Sequence, residues 1–240
     1  MLLVVGLGNP GRQYEETRHN VGFAVADALA RAAGADAWRE KFSALVARGR
    51  LGPTELVLLK PQTFMNLSGQ SVQPAAAFFK VSAPSLLVVH DELDLPFGEL
   101  RLKQGGGHAG HNGLRSIIER MGTPDFGRLR VGIGRPPPGF RGDVASYVLA
   151  RFDAAERATV EGVCASAVAA LEAVAASGFA AAMNRINARP RPPRAAGRKD
   201  EGGGAGGAPG AAGVKAGGGA GGKGGAGGKA SGGGGTAAGA

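Results

Sequence analysis

Four histidines, His19, His90, His108 and His111, are the only imidazoles in 240 residues, and the carboxylates Asp91, Glu92 and Asp94 follow His90 closely. Such a set raises two chemistries, a metal centre and a general base. A metal centre needs three or four ligands at geometric spacing. The H-D-E-L-D run is contiguous in a strand-to-loop segment, where neighbouring side chains point apart. No H-x-x-x-H occurs, and the single cysteine, Cys164, offers no second thiolate. No metal is therefore expected. His19 stands in Thr17-Arg18-His19-Asn20 at the start of a helical pattern, where the helix dipole disfavours imidazolium and lowers the pKa. A general base must be neutral at working pH. A carboxylate opposite would fix its tautomer and stabilise the imidazolium formed in the transition state. Asp91, at the end of an apolar strand, is the candidate, whereas Glu92 and Asp94 read as solvated or structural.

No nucleophile presents itself. No serine lies in a G-x-S-x-G elbow, and Cys164 sits in an Ala/Val helical run as a small buried side chain. Water attack on a carbonyl, with amides as donors to substrate and oxyanion, is the economical chemistry. Asn9, Asn66 and Asn112 stand at loop ends, each readable alone as a turn residue, together with His19 and Asp91 as an acyl-ester site. Gly6-Leu7-Gly8-Asn9-Pro10-Gly11 satisfies the dinucleotide fingerprint G-x-G-x-x-G. Three features oppose that reading. Pro10 removes an N–H from the loop. The helix begins near His19, eight residues after Gly11. No second parallel strand ending in an acidic residue follows.

These residues must be positioned by a framework, and apolar periodicity supplies one. Leu2–Val5 and Leu86–Val89 are continuous apolar runs, the mark of buried central strands. Val21, Val25, Ala28, Leu29 and Ala32 share a helix face ended by Gly34. Residues 43–50 and 54–60 read as a hairpin turning at Gly52-Pro53. Further strands are expected at 98–103 and 128–133, and further helices at 68–79, 114–121, 153–178 and 179–188. The 105–113 segment reads as a flexible glycine-rich loop. Strands alternating with helices predict an α/β fold with a mixed, twisted central sheet flanked by helices on both faces. In such sheets ligands bind beyond the carboxyl ends of the strands, where Asn9 and Asp91 fall.

Composition divides the chain. From Gly197 onward, 22 of the 44 glycines fall in 44 residues, without a single Phe, Leu, Ile, Trp or Tyr. Such a segment cannot bury enough apolar surface to offset its backbone entropy. Residues 1–188 carry 20 Lys and Arg against 17 Asp and Glu, and residues 189–240 carry 8 against 2, so most of the net +9 belongs to the extension. The expected organisation is a catalytic domain over 1–188 and a disordered basic Pro/Arg then Gly/Ala/Lys-rich tail over 189–240. The N-terminus lacks a basic n-region and a long h-region. The Ala-rich 158–183 stretch is interrupted by Glu161 and Glu172 and reads as too weakly apolar to span a bilayer. A cytoplasmic protein without membrane contact is expected.

Six segments, in order, resemble bacterial peptidyl-tRNA hydrolases: G-L-G-N-P-G-x-x-Y at 6–14, T-R-H-N-x-G at 17–22, P-x-T-F-M-N-L-S-G at 61–69, H-D-E-L-D-L-P-x-G at 90–98, G-G-G-H-x-G-H-N-G-L at 105–114 and R-L-R-x-G-I-G at 128–134. The resemblance implies a monomeric enzyme, without metal or cofactor, that cleaves the ester between a peptide and the 3′ ribose of tRNA and recycles peptidyl-tRNA dropped from ribosomes. By position, it makes His19 the base that activates water and Asp91 the group that holds and polarises it. Asn9 would bind near the scissile group, and Asn66 and Asn112 would position substrate and water. Tyr14 and Phe64 would contact the peptide or the tRNA terminus, with Met65 lining the same crevice or packing in the core. Lys103 and Arg130 match a basic pair for the tRNA 5′-phosphate, and two cations at adjacent strand ends make a phosphate clamp. Read alone, they are equally solvated strand ends. The 105–113 loop would hinge a lid helix. The family pattern stops near residue 190, and the basic extension is expected either to add salt-sensitive RNA contact or to be a dispensable solvated tail. A second reading is a non-catalytic RNA-binding relative of the same fold. Retention of His19, Asp91 and the three Asn favours the enzyme.

Overall fold

A computed structural model describes residues 1–188. The expectations for 189–240 lie outside the described residues. Seven strands, β1 (Leu2–Gly6), β2 (Arg39–Lys41), β3 (Ala44–Leu51), β4 (Thr54–Pro61), β5 (Leu86–Glu92), β6 (Leu100–Gln104) and β7 (Gly127–Gly132), form one sheet in the order β2-β3-β4-β1-β5-β7-β6. β4, β1, β5 and β7 are mutually parallel, while β2, β3 and β6 run antiparallel to their neighbours. The sheet is thus mixed, as expected.

Apolar alternation within the central strands builds two cores. Val4, Leu56, Leu58, Leu87, Val89, Leu129 and Val131 face one side. There they meet α1 (Val21–Ala32), the short α4 (Val144–Leu149), α5 (Ala154–Ser177) and α6 (Phe179–Asn187). Leu3, Val5, Val57, Leu59, Leu86 and Val88 face the other, against α2 (Gly69–Phe78) and α3 (Asn112–Met121). A strand buried on both faces needs no polar alternation, which is why these segments read as continuous apolar runs. By length and hydropathy α5 could cross a bilayer. Its apolar residues Val163, Ala167, Val168, Leu171 and Val174 are instead buried within the first core.

The sheet edges are managed differently. β2 is three exposed residues, Arg39, Glu40 and Lys41, a short charged edge that resists further pairing. The β6 edge is covered by the end of α6. The Asn187 side chain accepts from the Leu102 N–H at 3.0 Å and donates to the Leu102 carbonyl at 2.8 Å, standing in for a neighbouring strand.

The first helix meets the sheet at very short range. A Cβ on Gly22 would lie 2.4 Å from the Leu7 carbonyl oxygen and 2.6 Å from that of Val89, and one on Gly6 would lie 2.2 Å from the Gly22 oxygen. Gly6 of the rejected fingerprint therefore serves helix–strand packing. This close approach seats the residues preceding α1 on the carboxyl ends of β1 and β5.

Candidate active site

The helix expected from His19 begins at Val21, and Arg18–Asn20 forms a single 3-10 turn before it. β5 continues to Glu92, so Asp91 belongs to the strand rather than to the loop after it. Position 19 is brought to position 91 by the Gly22 contact. His19 Nδ1 lies 2.8 Å from Asp91 Oδ1. A carboxylate only accepts, so Nδ1 carries the proton and Nε2 keeps its lone pair, the tautomer a base requires. Arg18 fastens this turn. Its guanidinium pairs with Glu156 at 2.5 Å, donates to the Arg151 carbonyl at 2.7 Å, and lies 4.5 Å above the Tyr147 ring. The base is thereby tied to α4 and to the start of α5.

A second imidazole shares the same oxygen. His111 Nε2 lies 3.0 Å from Asp91 Oδ1. His111 Nδ1 accepts from the N–H groups of Gly113 and Leu114, capping α3, so Nε2 must be the protonated nitrogen. Sequence reasoning assigned no role to His111. Caps are ordinarily Ser, Thr, Asp or Asn, and an imidazole doing that work leaves no familiar signature. One donor atom from each of His19, Asp91 and His111 lies within 4.8 Å of the others, a spacing that could hold a metal ion. Both imidazole nitrogens in that set are hydrogen-bond donors to one oxygen, and an ion would have to displace both protons.

The electrostatics follow from these contacts. Burial opposes the Asp91 charge, yet the two imidazoles, by charge and by hydrogen bond, hold its pKa well below the ordinary carboxylate range. Burial likewise opposes imidazolium at His19, but the Asp91 charge and hydrogen bond outweigh it, and the His19 pKa is raised. This corrects the expectation of a lowered value from the helix N-terminus: one carboxylate at 2.8 Å dominates a dipole felt through a 3-10 turn. His90, adjacent in sequence, is 2 % exposed. Its pKa is lowered to about 3 by burial, then by His111, with smaller opposing contributions from Asp91, so it is neutral. Its Nδ1 donates to the Asp91 carbonyl at 2.7 Å.

A cavity of about 620 Å³ opens here. Of the expected residues, Asn9, His19, Phe64, Met65, Asn66, Asp91, Asn112, Lys103 and Arg130 line it, and Tyr14 does not. Tyr14 lies in a separate 3-10 turn, its carbonyl accepting from Thr17. Asn9 is 7 % exposed. Its Oδ1 accepts from the Met65 N–H at 2.7 Å, and its backbone exchanges hydrogen bonds with the Asn20 side chain at 2.8 and 3.0 Å. With Oδ1 engaged by protein, Nδ2 is the end available to a substrate oxygen. Asn66 and Asn112 are exposed at the cavity surface, and Phe64 is 58 % exposed at its rim. Asn112 is the first residue of α3 rather than a loop residue.

Lys103 and Arg130 line the cavity from the adjacent strands β6 and β7, with Arg130 inside its strand rather than at its end. Lys103 and Arg130 are not cross-strand partners: Lys103 lies opposite Arg128, and Arg130 opposite Arg101. Arg130 Nε donates to Glu92 Oε2 at 2.8 Å, which gives Glu92 its structural role, while Asp94 pairs with Arg135 at 2.5 Å. Arg128, which sequence reasoning passed over, is buried beside them. The available signal was R-L-R at 128–130, which in a strand puts both arginines on one face. The expected hinging of α3 as a lid also meets the packing: a Cβ on Gly69 of α2 would lie 2.2 Å from the Ser116 oxygen, and Ser116 Oγ accepts from the Gly69 N–H at 3.0 Å. α3 packs closely on α2 at this point, and the irregular part of this wall is 105–111.

Fold and site together define an α/β enzyme with a histidine–aspartate centre at the carboxyl edge of its sheet. The peptidyl-tRNA hydrolase family model matches residues 3–194. A peptidyl-tRNA hydrolase of Sorangium cellulosum is 62 % identical over 192 residues, 80 % of this chain and 86 % of the relative, and one from Anaeromyxobacter dehalogenans is 50 % identical over 191 residues, 80 % and 98 %. The crystal structure of the Acinetobacter baumannii peptidyl-tRNA hydrolase superposes with a TM-score of 0.72 at 40 % identity, covering 78 % of this chain and 95 % of that one. The chain belongs to the peptidyl-tRNA hydrolase family of enzymes.

Proposed function

We propose that the chain hydrolyses the ester joining a peptide, or any N-blocked aminoacyl group, to the 3′ ribose of tRNA, with His19 as general base. His19 Nε2 takes a proton from water as the water oxygen attacks the ester carbonyl carbon. The oxyanion and substrate carbonyl accept from donors at the cavity wall, Asn9 Nδ2 foremost. The tetrahedral intermediate collapses, the ribose 3′ oxygen leaves, and the His19 imidazolium returns the proton to it. Asp91 fixes the ring and stabilises its charged form, as in other base–carboxylate pairs. Asn66 and Asn112 position substrate and water, Phe64 and Met65 contact the acylated end, and Lys103 with Arg130 hold a tRNA phosphate. Tyr14 has no part in the cavity wall, and its contact with substrate would have to come from outside it.

The observation that carries this reading is the 2.8 Å contact between His19 Nδ1 and Asp91 Oδ1, at the wall of a cavity shared with three carboxamides. The reading needs no cofactor or metal and suits a cytoplasmic monomer that recycles peptidyl-tRNA lost from ribosomes. Incubation with N-acetyl-aminoacyl-tRNA and with the unblocked form tests it. Rapid release from the blocked substrate alone is expected, and equal rates on both would reject the assignment. The basic 189–240 extension would add salt-dependent RNA affinity, so tRNA binding across a salt series should be weaker and flatter without it. Equal affinities and slopes would discard that role.

A further inference from the structure

We propose that Arg128 is a positioning residue that pins the glycine-rich 105–111 loop and so sets the basic wall of the cavity. Arg128, the second residue of β7, is 2 % exposed. Its Nη1 donates to the Gly107 carbonyl at 2.6 Å, and Nη2 donates to the Gly106 carbonyl. The loop needs such an anchor. Gly105, Gly106 and Gly110 hold φ values of 62°, 92° and 82°, and Ala109 holds 47°, so no helix or strand stabilises the path. Its own hydrogen bonds are local or terminal: Gly105 N–H reaches Phe126 at one end, and His111 and Gly110 N–H reach His108 at the other. Among the described residues, the hydrogen bonds tying residues 106 and 107 to the sheet come from Arg128.

The choice of arginine is informative. No described carboxylate lies within ion-pairing distance of Arg128, unlike Arg18 with Glu156 or Arg130 with Glu92. The Phe126 ring lies 4.9 Å from its guanidinium carbon, and Nε is buried without a partner. A buried cation satisfied only by carbonyls is costly to keep. The planar fork presents two parallel donors, Nη1 and Nη2, one to each of two successive carbonyls, a fixed geometry that a single-nitrogen ammonium lacks. The loop so held lies against the Lys103 side chain, since a Cβ on Gly106 would sit 3.0 Å from Lys103 Nζ. It ends at His111 and Asn112, both at the cavity wall. One guanidinium therefore fixes where the exposed cation and the start of α3 meet substrate.

The test is amide hydrogen exchange over residues 105–112 in the full chain, alongside steady-state hydrolysis of N-acetyl-aminoacyl-tRNA, for Arg128→Gln and Arg128→Lys. The expected result for Arg128→Gln is loop exchange at least tenfold faster and kcat/KM at least tenfold lower, mostly through KM, with β5 and β7 protection retained. Arg128→Lys, which keeps the charge but loses the fork, should fall between wild type and Gln in both readouts. Loop protection unchanged in either folded variant overturns the proposal. So does loss of β5 and β7 protection equal to that of the loop, which would make Arg128 a residue of general stability. If Arg128→Gln does not fold, the Lys variant decides by the same loop-against-sheet comparison. The exchange readout does not depend on the role assigned to His19.

Discussion

The two walls of the cavity are built on different electrostatic terms. On the wall of His19 and Asp91, opposite charges and hydrogen bonds close on one another. Asp91 Oδ1 takes two imidazole donors, and the neighbouring Arg18 has a carboxylate, carbonyls and aromatic rings around it. On the wall of Lys103, Arg128 and Arg130, only Arg130 has a carboxylate partner among the described residues. Lys103 is exposed, and the buried Arg128 donates to two carbonyls beside the Phe126 ring. The first wall is suited to moving a proton between fixed atoms. The second keeps unspent positive charge beside the cavity, as an anionic substrate requires. Changes on the first should therefore appear in kcat, and changes on the second in KM and in salt dependence.

The largest effect is expected from His19→Ala. Loss of a general base should lower kcat by roughly 10²–10⁴ with little change in tRNA affinity, measured by single turnover beside filter binding. A rate near wild type would erase the contrast between the walls. Next comes Asp91→Asn, which should lower kcat by about 10²-fold and move the acid limb of the pH–rate profile to lower pH. The sign follows from the carboxylate: it raises the His19 pKa, so its removal lets that pKa fall and the neutral base persist further into acid. An unmoved acid limb would mean that another group orients the base.

A smaller effect is expected from Gly22→Ala. Its Cβ would meet backbone oxygens of Leu7 and Val89, which cannot move aside. A destabilisation of roughly 1–3 kcal/mol is expected from overpacking, together with a drop in kcat as the His19 turn lifts from β5. Denaturant titration and kinetics check both, and full stability with full activity would show that the helix can shift freely. The smallest change is expected from Lys103→Ala: KM a few-fold higher, kcat unchanged, and the slope of log affinity against log salt lowered by about one. A fall in kcat alone would place Lys103 with the first wall.

Much of the framework was legible because burial writes itself into local pattern. Leu2–Val5 and Leu86–Val89 could be read as central strands from continuous apolar runs, and the 43–60 hairpin from Gly52-Pro53. β2 was not legible, since three exposed charged residues carry no apolar signature, and α4 is too short for a period to register. At the site, Asp91 was readable from its place at a strand end. The sign of the His19 pKa shift was not, because whether the expected Asp91 partner outweighs burial and the helix N-terminus turns on the length of a contact between residues 72 apart in sequence. Arg18–Glu156, 138 residues apart, is of the same kind. The place of Arg128 in the basic wall was not legible, because strand pairing rather than spacing puts it opposite Lys103.

The most direct measurement is an NMR titration of the His19 imidazole, set against the pH dependence of single-turnover hydrolysis of N-acetyl-aminoacyl-tRNA. The predicted result is one shared midpoint above the ordinary histidine value, with the rate rising in proportion to the neutral ring and the Nδ1 proton retained throughout. A rate that stays level while His19 loses its proton would contradict the assignment of this ring as the base.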